Sequence, residues 1–104
     1  MAKTMQTIEM DFQKAKKQAE ELEQIAQSLH MLSVNSFQPC LAKIAASWKG
    51  EHAAVFCKKG AVVESRIRQS AEGLKQTAQT IRKTAQNTYE AEKRSCELAK
   101  TRQY

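Results

Sequence analysis

The stretch IAASWKGEHA, residues 44 to 53, decides the fold, because one sustained helical pattern stops there and another begins. It holds the only tryptophan of the 104-residue chain, Trp48, and one of just three glycines, Gly50. Glycine suits the left-handed position beyond a helix end, and Glu51 suits the positive start of the next helix. We therefore expect Trp48, Lys49 and Gly50 to form a reversing turn, with the indole filling the space between the helix ends.

On the N-terminal side of this turn, apolar or small residues recur at alternating steps of three and four. This spacing is typical of a helix that packs along one line, and it predicts a helix over about 5–47. Pro39 lacks a backbone donor and clashes with the preceding turn, so we expect a kink or break near 35–39. The series comprises Met5, Ile8, Phe12, Ala15, Ala19, Leu22, Ala26, Leu29, Ser33, Ser36 and Cys40.

A second series of the same period follows the turn and predicts a helix over about 52–100. If the chain reverses near Trp48, this helix outlasts the first and leaves roughly Cys96–Tyr104 as an overhang, within a C-terminal arm of about 89–104. The prediction is an all-α, single-domain protein over residues 1–104, folded as an antiparallel two-helix hairpin. The second series comprises Phe56, Gly60, Val63, Ile67, Ser70, Leu74, Thr77, Ile81, Thr84, Thr88, Ala91, Ser95 and Leu98.

Two helices alone cannot cover apolar stripes of this breadth, so we expect a second hairpin to complete a four-helix bundle. The side chains predicted to form the seams between helices are large and apolar. They are Ile8, Phe12, Leu22, Leu29, Phe56, Val63, Ile67, Leu74 and Ile81.

Composition agrees with a helical protein and argues against a membrane span and a secretory signal peptide. The chain has one proline and only 6% aromatic residues, which favours a long seam between helices over a bulky globular core. Its apolar runs are too short for a membrane span. The N-terminus, MAKTMQTIEMDFQKAKK, lacks the continuous apolar block of a secretory signal peptide, so any export is expected to use another route.

Net charge is +6, and most of the excess lies after residue 50. Such a surplus suits nucleic acid, an anionic membrane or an acidic partner, and equally a solvated helix face. The basic side chains scatter around the helix without aromatic residues on which bases could stack, so no specific nucleic-acid site is predicted. Nonspecific nucleic-acid binding remains the alternative function from another class. The residues concerned are Lys58, Lys59, Arg66, Arg68, Lys75, Arg82, Lys83, Lys93, Arg94, Lys100 and Arg102.

The cysteines and histidines show no metal-ligand spacing, and paired helices offer little concavity for catalysis. We therefore predict no metal, no cofactor and no enzymatic activity. In an antiparallel hairpin Cys40 and Cys57 lie level, which makes them either a candidate disulfide in an oxidising exterior or two small apolar residues.

A chain of this length with two helical series and a central Trp-x-Gly turn resembles the WXG family of small proteins exported by type VII secretion systems. The C-terminal stretch AQTIRKTAQNTYEAEKRSCELAKTRQY also resembles the ends of WXG-like proteins from Gram-positive bacteria, some of which accompany toxins with N-terminal LXG domains. The resemblance implies a four-helix bundle, formed as a homodimer, with a related hairpin, or with a toxin's helical domain. It also implies synthesis in the cytoplasm, recognition by a secretion ATPase, and export without a cleaved signal peptide to the exterior or the cell surface.

Members of that family often carry a C-terminal export signal of tyrosine, three residues, and then an acid. Tyr89 matches the tyrosine, and the nearby acids are Glu90 and Glu92. The fourth residue after Tyr89 is Lys93, a basic residue at the position where the pattern has an acid. We therefore expect this protein to be exported within a complex, as a targeting partner or chaperone of a larger toxin. The alternatives are a secreted homodimer without a toxin and a helical scaffold without an export role.

Overall fold

A computed structural model describes residues 3–102, which are helical almost throughout and contain no strand. Helix α1 spans Met5–Leu32, α2 spans Gln38–Ser47, and α3 spans Glu51–Thr101. A five-residue π-helical segment, Ser33–Phe37, joins α1 to α2. The first three elements form one arm and α3 forms the other, so the fold is hairpin-like. Gln103 and Tyr104, the last two residues of the predicted C-terminal arm, lie outside the described residues.

Helix α1 begins at a threonine cap. The Thr4 hydroxyl accepts a hydrogen bond from the Thr7 backbone N–H at 3.1 Å, and the Thr4 carbonyl accepts from the Ile8 N–H at 3.0 Å. A side-chain acceptor at this position satisfies an N–H that has no partner within the helix. The cap therefore sets the first residue of α1.

The interruption between α1 and α2 follows from Pro39 and overlaps the range 35–39 in which the sequence predicts a kink or break. Proline has no N–H for the carbonyl four residues back, and its ring crowds that carbonyl. The backbone widens here into π-helical geometry, in which the Gln38 N–H donates to the carbonyl of Ser33, five residues earlier. Pro39 then stands in the first turn of α2, where a missing N–H costs nothing.

The described residues divide into two compact units, and both long helices contribute to each. The turn unit is Glu23–Lys75, and the terminal unit comprises the described residues up to Leu22 and from Gln76 onward.

Most of the buried residues in both units are small. In the terminal unit the buried side chains are those of Ile8, Ala19 and Ala78. In the turn unit they are those of Ala26, Ser33, Ala53, Glu64 and Ala71. Alanine and serine let two helix backbones approach closely, which leaves larger neighbours at the edges of the contact.

Gly60 shows this close approach most clearly. A Cβ atom added at Gly60 would lie 2.5 Å from Cδ2 of Leu41, well inside ordinary van der Waals contact. Glycine on a helix usually weakens it, but here the missing side chain makes room for a leucine of the first arm. A hairpin that reverses near Trp48 would set Phe37 level with Gly60, and Leu41, the residue in contact, lies one helical turn further along the first arm.

Candidate functional site

The turn is the three-residue connection Trp48, Lys49 and Gly50. Trp48 leaves the helix in an extended conformation, with φ −110° and ψ 117°, while its N–H still bonds to the Ile44 carbonyl at 2.8 Å. Gly50 has φ +114°, a backbone conformation that L residues rarely adopt. The Gly50 carbonyl accepts the Ala54 N–H at 3.1 Å and so begins the hydrogen bonding of α3.

The Trp48 side chain is 47% exposed, so it closes the space between the helix ends only in part. Its ring centroid lies 5.9 Å from that of Phe56, with the planes tilted by 55°. This geometry is a favourable aromatic contact. Phe56 is itself 50% exposed, so both rings reach the surface of the turn unit.

The predicted seam residues occupy three kinds of place. Ile8 is buried. Phe56 and Val63 are about half exposed and lie on a flank of α3, beside the line along which α3 meets the first arm. The remaining six are partly buried at the edges of that contact: Phe12, Leu22, Leu29, Ile67, Leu74 and Ile81.

Exposed large apolar side chains are concentrated in the turn unit. Met10 and Leu98 are the two such residues among the described part of the terminal unit. The turn unit carries all the others, at 40–51% exposure: Ile25, Met31, Leu32, Val34, Trp48, Val55, Phe56, Val62 and Val63. Scattered exposed apolar residues are ordinary, whereas a concentration of them marks an interaction surface.

Four of these residues form pairs one heptad apart on α3. Val55 and Val62 occupy one heptad position, and Phe56 and Val63 occupy the adjacent one. The buried residues Ala53, Glu64 and Ala71 define the side of α3 that meets the first arm. At 100° per residue, Val55 and Val62 point nearly opposite to that side.

A buried carboxylate lies at the π-helical segment. One oxygen of Glu64, Oε1, accepts hydrogen bonds from Ser33 Oγ at 2.5 Å, Arg68 Nε at 2.7 Å and Gln38 Nε2 at 2.8 Å. Ser33 is fully buried, and Glu64 is 7% exposed. Hydrogen bonds from Ser33 and Gln38, followed by the contribution of Arg68, lower the pKa of Glu64 from 4.5 to about 2 against the opposing effect of burial. The carboxylate therefore stays ionised and ties both ends of the π-helical segment to α3.

Tyr89, the candidate export residue, is engaged within the terminal unit. Its ring stacks on that of Phe12 with centroids 4.5 Å apart and planes at 21°. Its hydroxyl hydrogen-bonds to the Glu9 carboxylate, which raises the pKa of Tyr89, and burial adds to the increase. The Lys93 ammonium lies 6.0 Å from the Tyr89 ring centroid, a cation–π distance. Lys93 thus has a local contact at the position where the family signal has an acid.

The two acids near Tyr89 have different surroundings. Glu92 is ion-paired with Lys3 at 3.1 Å, and Lys3 also bonds to Asp11 at 2.9 Å. Glu90 is exposed and accepts a hydrogen bond from Gln86 at 3.0 Å. Of the three candidate signal residues, Glu90 is therefore the one that faces solvent.

A groove of about 370 Å³ runs along the terminal unit beside this cluster. Its walls are mostly apolar, and Lys3, Asp11 and Glu92 stand at its rim as the ion-paired group just described. The remaining lining residues are Ile8, Phe12, Ala15, Thr80, Ile81, Thr84, Ala85, Thr88 and Tyr89. Such a groove accommodates an apolar side chain.

The cysteines are free thiols in this structure: Cys40 is exposed, and Cys57 and Cys96 are partly buried. Within residues 3–102, no three His, Cys, Asp or Glu side chains are grouped so that they could share a metal ion. None of the helices in this range combines the length and hydrophobicity that crossing a membrane requires.

Four buried residues lie outside the two apolar series: Ala53, Glu64, Ala71 and Ala78. The contact line along α3 passes through Gly60, Glu64 and Ile67, whereas the apolar series assigned that place to Val63. The signal was present, because Glu64 keeps the same three-and-four spacing, but a charged residue is rarely placed inside on sequence grounds. Its three donors come from three elements, the π-helical segment, α2 and α3, and that arrangement depends on the fold.

Comparison with known proteins adds no further constraint. No family model, no curated protein and no solved structure matches the chain.

Proposed function

We propose that this protein is a non-enzymatic helical partner in type VII export, resembling the WXG family. In this proposal it pairs with a helical segment of another chain, such as the LXG-type domain of a larger toxin, and forms a four-helix bundle. The observation that carries the proposal is the concentration of exposed large apolar residues in the turn unit. Exposing this much apolar surface is unfavourable in water, at about 25 cal/mol per Å², and a helical partner would cover it.

The turn supports the same proposal. Trp48 and Phe56 present two aromatic rings at the surface, and aromatic residues are enriched at the centres of protein interfaces. Gly50 provides the backbone reversal that brings them together. Together the Trp-x-Gly turn and the exposed face beside it form a surface suited to recognition.

A pull-down from the native organism tests the pairing. The tagged chain is expected to retain one or a few helical proteins, identified by mass spectrometry, and to appear with them in the culture supernatant. Phe56→Glu and Val63→Glu place charges on half-exposed side chains and are expected to abolish retention without unfolding the chain. Met10→Glu, at a 63% exposed site of the terminal unit, is the matched control and should retain the partner.

Three results would contradict the proposal. A chain that is absent from the supernatant while the secretion system works would be a scaffold without an export role. A chain that self-associates and retains nothing else would be a homodimer without a toxin partner. Association with nucleic acid that is steeply salt-dependent yet persists at about 0.15 M salt would favour the nucleic-acid alternative.

The role of the C-terminal arm needs point variants rather than a deletion. Removing residues 89–104 would take away the stacking partner of Phe12 and the ion-pair partner of Lys3, so the terminal unit would also lose packing. Tyr89→Phe keeps the ring and removes the hydroxyl, whereas Tyr89→Ala removes both. If the arm contributes a signal through the aromatic ring, the complex should still be exported with Tyr89→Phe but not with Tyr89→Ala. Both variants should still retain the partner in the pull-down. Unchanged export of Tyr89→Ala would refute this role.

A further inference from the structure

In the turn unit, the surface of α3 that runs from the flank holding Phe56 and Val63 to the outward positions of Val55 and Val62 combines apolar and basic side chains. We call the set Val55, Phe56, Lys59, Val62, Val63 and Arg66 the basic apolar face. All six are exposed, with the four apolar members at 45–51%. Lys59 lies three or four residues from each of the four apolar residues, and Arg66 has the same relation to Val62 and Val63. At that spacing side chains are neighbours on a helix surface, so the cations lie within the apolar face and not at its margin.

No acid on this part of α3 balances these cations. Between Glu51 and Glu64 the chain has no acidic residue, and Glu64 is directed inward to Ser33, Gln38 and Arg68. Positions three and four residues from Lys59 and Arg66 hold no acid either. Among residues 3–102, neither side chain has an ion-pair partner.

The exposed apolar residues and the two cations unpaired within the described residues together indicate the chemistry of the partner that binds the basic apolar face. An apolar partner without acids would bury the two cations unpaired, which is costly. A second copy of this chain related by two-fold symmetry would bring the same face against itself, and Lys59 and Arg66 would meet like charges. A partner with carboxylates set among apolar residues satisfies both requirements.

We propose that the basic apolar face binds an amphipathic helix of a different protein, whose apolar side carries two acidic residues about seven positions apart. Lys59 and Arg66 are seven residues apart, which is roughly 10 Å along the helix axis. A helix lying along α3 would match them with carboxylates at the same repeat. The inference rests on the proposed function, and it specifies the partner's chemistry and excludes self-pairing through this face.

Two synthetic peptides of about 28 residues test the charge preference. Both carry leucines at the apolar heptad positions, and they differ only in having glutamate or lysine at two flanking positions seven residues apart. Fluorescence anisotropy with the full chain is expected to show binding of the acidic peptide at least about tenfold tighter than that of the basic one. The double variant Lys59→Glu/Arg66→Glu should reverse the preference, while the charge-matched control Lys14→Glu/Lys17→Glu, in the terminal unit, should leave it unchanged.

Folding of each variant is checked by circular dichroism. Val62→Asp tests the location of the binding surface, because a charge at this apolar position should remove binding of both peptides. Equal affinity for the two peptides, or a preference that the double variant leaves intact, would overturn the inference. So would a homodimer in light scattering that Val62→Asp dissociates. Binding to vesicles containing phosphatidylglycerol, lost in the double variant and accompanied by no peptide binding, would assign the face to a membrane surface instead.

Failure here and failure of the proposed function are distinguishable. If the native partner is retained by both the wild-type chain and the Lys59→Glu/Arg66→Glu variant, the charge inference is wrong and the export proposal stands. If the peptide preference is observed but the native organism yields no helical partner and no export, the proposed function is wrong and the chemistry of the face stands.

Discussion

Alanine substitution at each of the three glycines should give three different outcomes, because the structure places them in three different settings. Gly73 lies inside α3, and a Cβ added there meets no atom within 4 Å. Alanine is favoured over glycine in a helix interior by about 1 kcal/mol. Gly73→Ala should therefore stabilise the chain by about that amount, which corresponds to an increase in Tm of roughly 4–8 °C for a domain of this size.

Gly50→Ala should act in the opposite direction. There is open space around Gly50, so the cost comes from its φ of +114° alone. An L residue held in the left-handed region loses roughly 1–2 kcal/mol, so Tm should fall by at least about 4 °C.

Gly60→Ala combines both effects. The helix gains about 1 kcal/mol, but the new Cβ would lie 2.5 Å from Cδ2 of Leu41. Leu41 must move off its rotamer, at a cost of about 0.5–1.5 kcal/mol, so the variant should fall within about 0.5 kcal/mol of the wild type.

Thermal and urea unfolding followed by circular dichroism measure all three variants. Protein concentration must be equal throughout, because association adds to apparent stability. The predicted order of stability is Gly73→Ala, then wild type and Gly60→Ala together, then Gly50→Ala. A Gly73→Ala variant no more stable than wild type, or a Gly50→Ala variant that matches it, would refute the reasoning.

Three further predictions follow from buried and half-buried side chains. Ala78 has no exposed surface, so Ala78→Leu should overpack the terminal unit and cost about 1–3 kcal/mol in urea unfolding. The control Gln79→Leu, at an exposed neighbouring position, should cost less than about 0.5 kcal/mol. Equal costs for the two variants would show that Ala78 is not packed against the other helix. Trp48→Ala should cost about 1–2 kcal/mol, below the 3–5 kcal/mol of a buried aromatic, because the ring is 47% exposed; a loss above about 4 kcal/mol would show that the ring is fully covered in solution. The pKa of Glu64 is about 2 in the folded chain and 4.5 ordinarily, so its contribution to stability is complete above pH 4.5 and disappears as pH falls toward 2. In urea unfolding, the difference in stability between wild type and Glu64→Gln should shrink across that window. A difference that does not change with pH would contradict the assignment.

The sequence by itself predicts much of the helical organisation. Apolar spacing of three and four identifies two long helical stretches, because a helix that packs on one side must repeat its contacts at that period. Gly50 and Trp48 mark the place where those stretches separate, since glycine alone adopts a positive φ without strain. Pro39 identifies the interruption of the first arm for an equally local reason, its missing N–H.

The arrangement of large and small side chains depended on tertiary structure. Phe56 and Val63 satisfy the same periodicity as a buried residue would, yet they lie half exposed while Glu64 beside them is buried. The difference arises because alanines, Gly60 and Ser33 let the arms approach too closely to admit larger side chains along the contact. Periodicity reports which residues share a side of a helix, but the direction in which that side faces is set by how closely the other arm can approach.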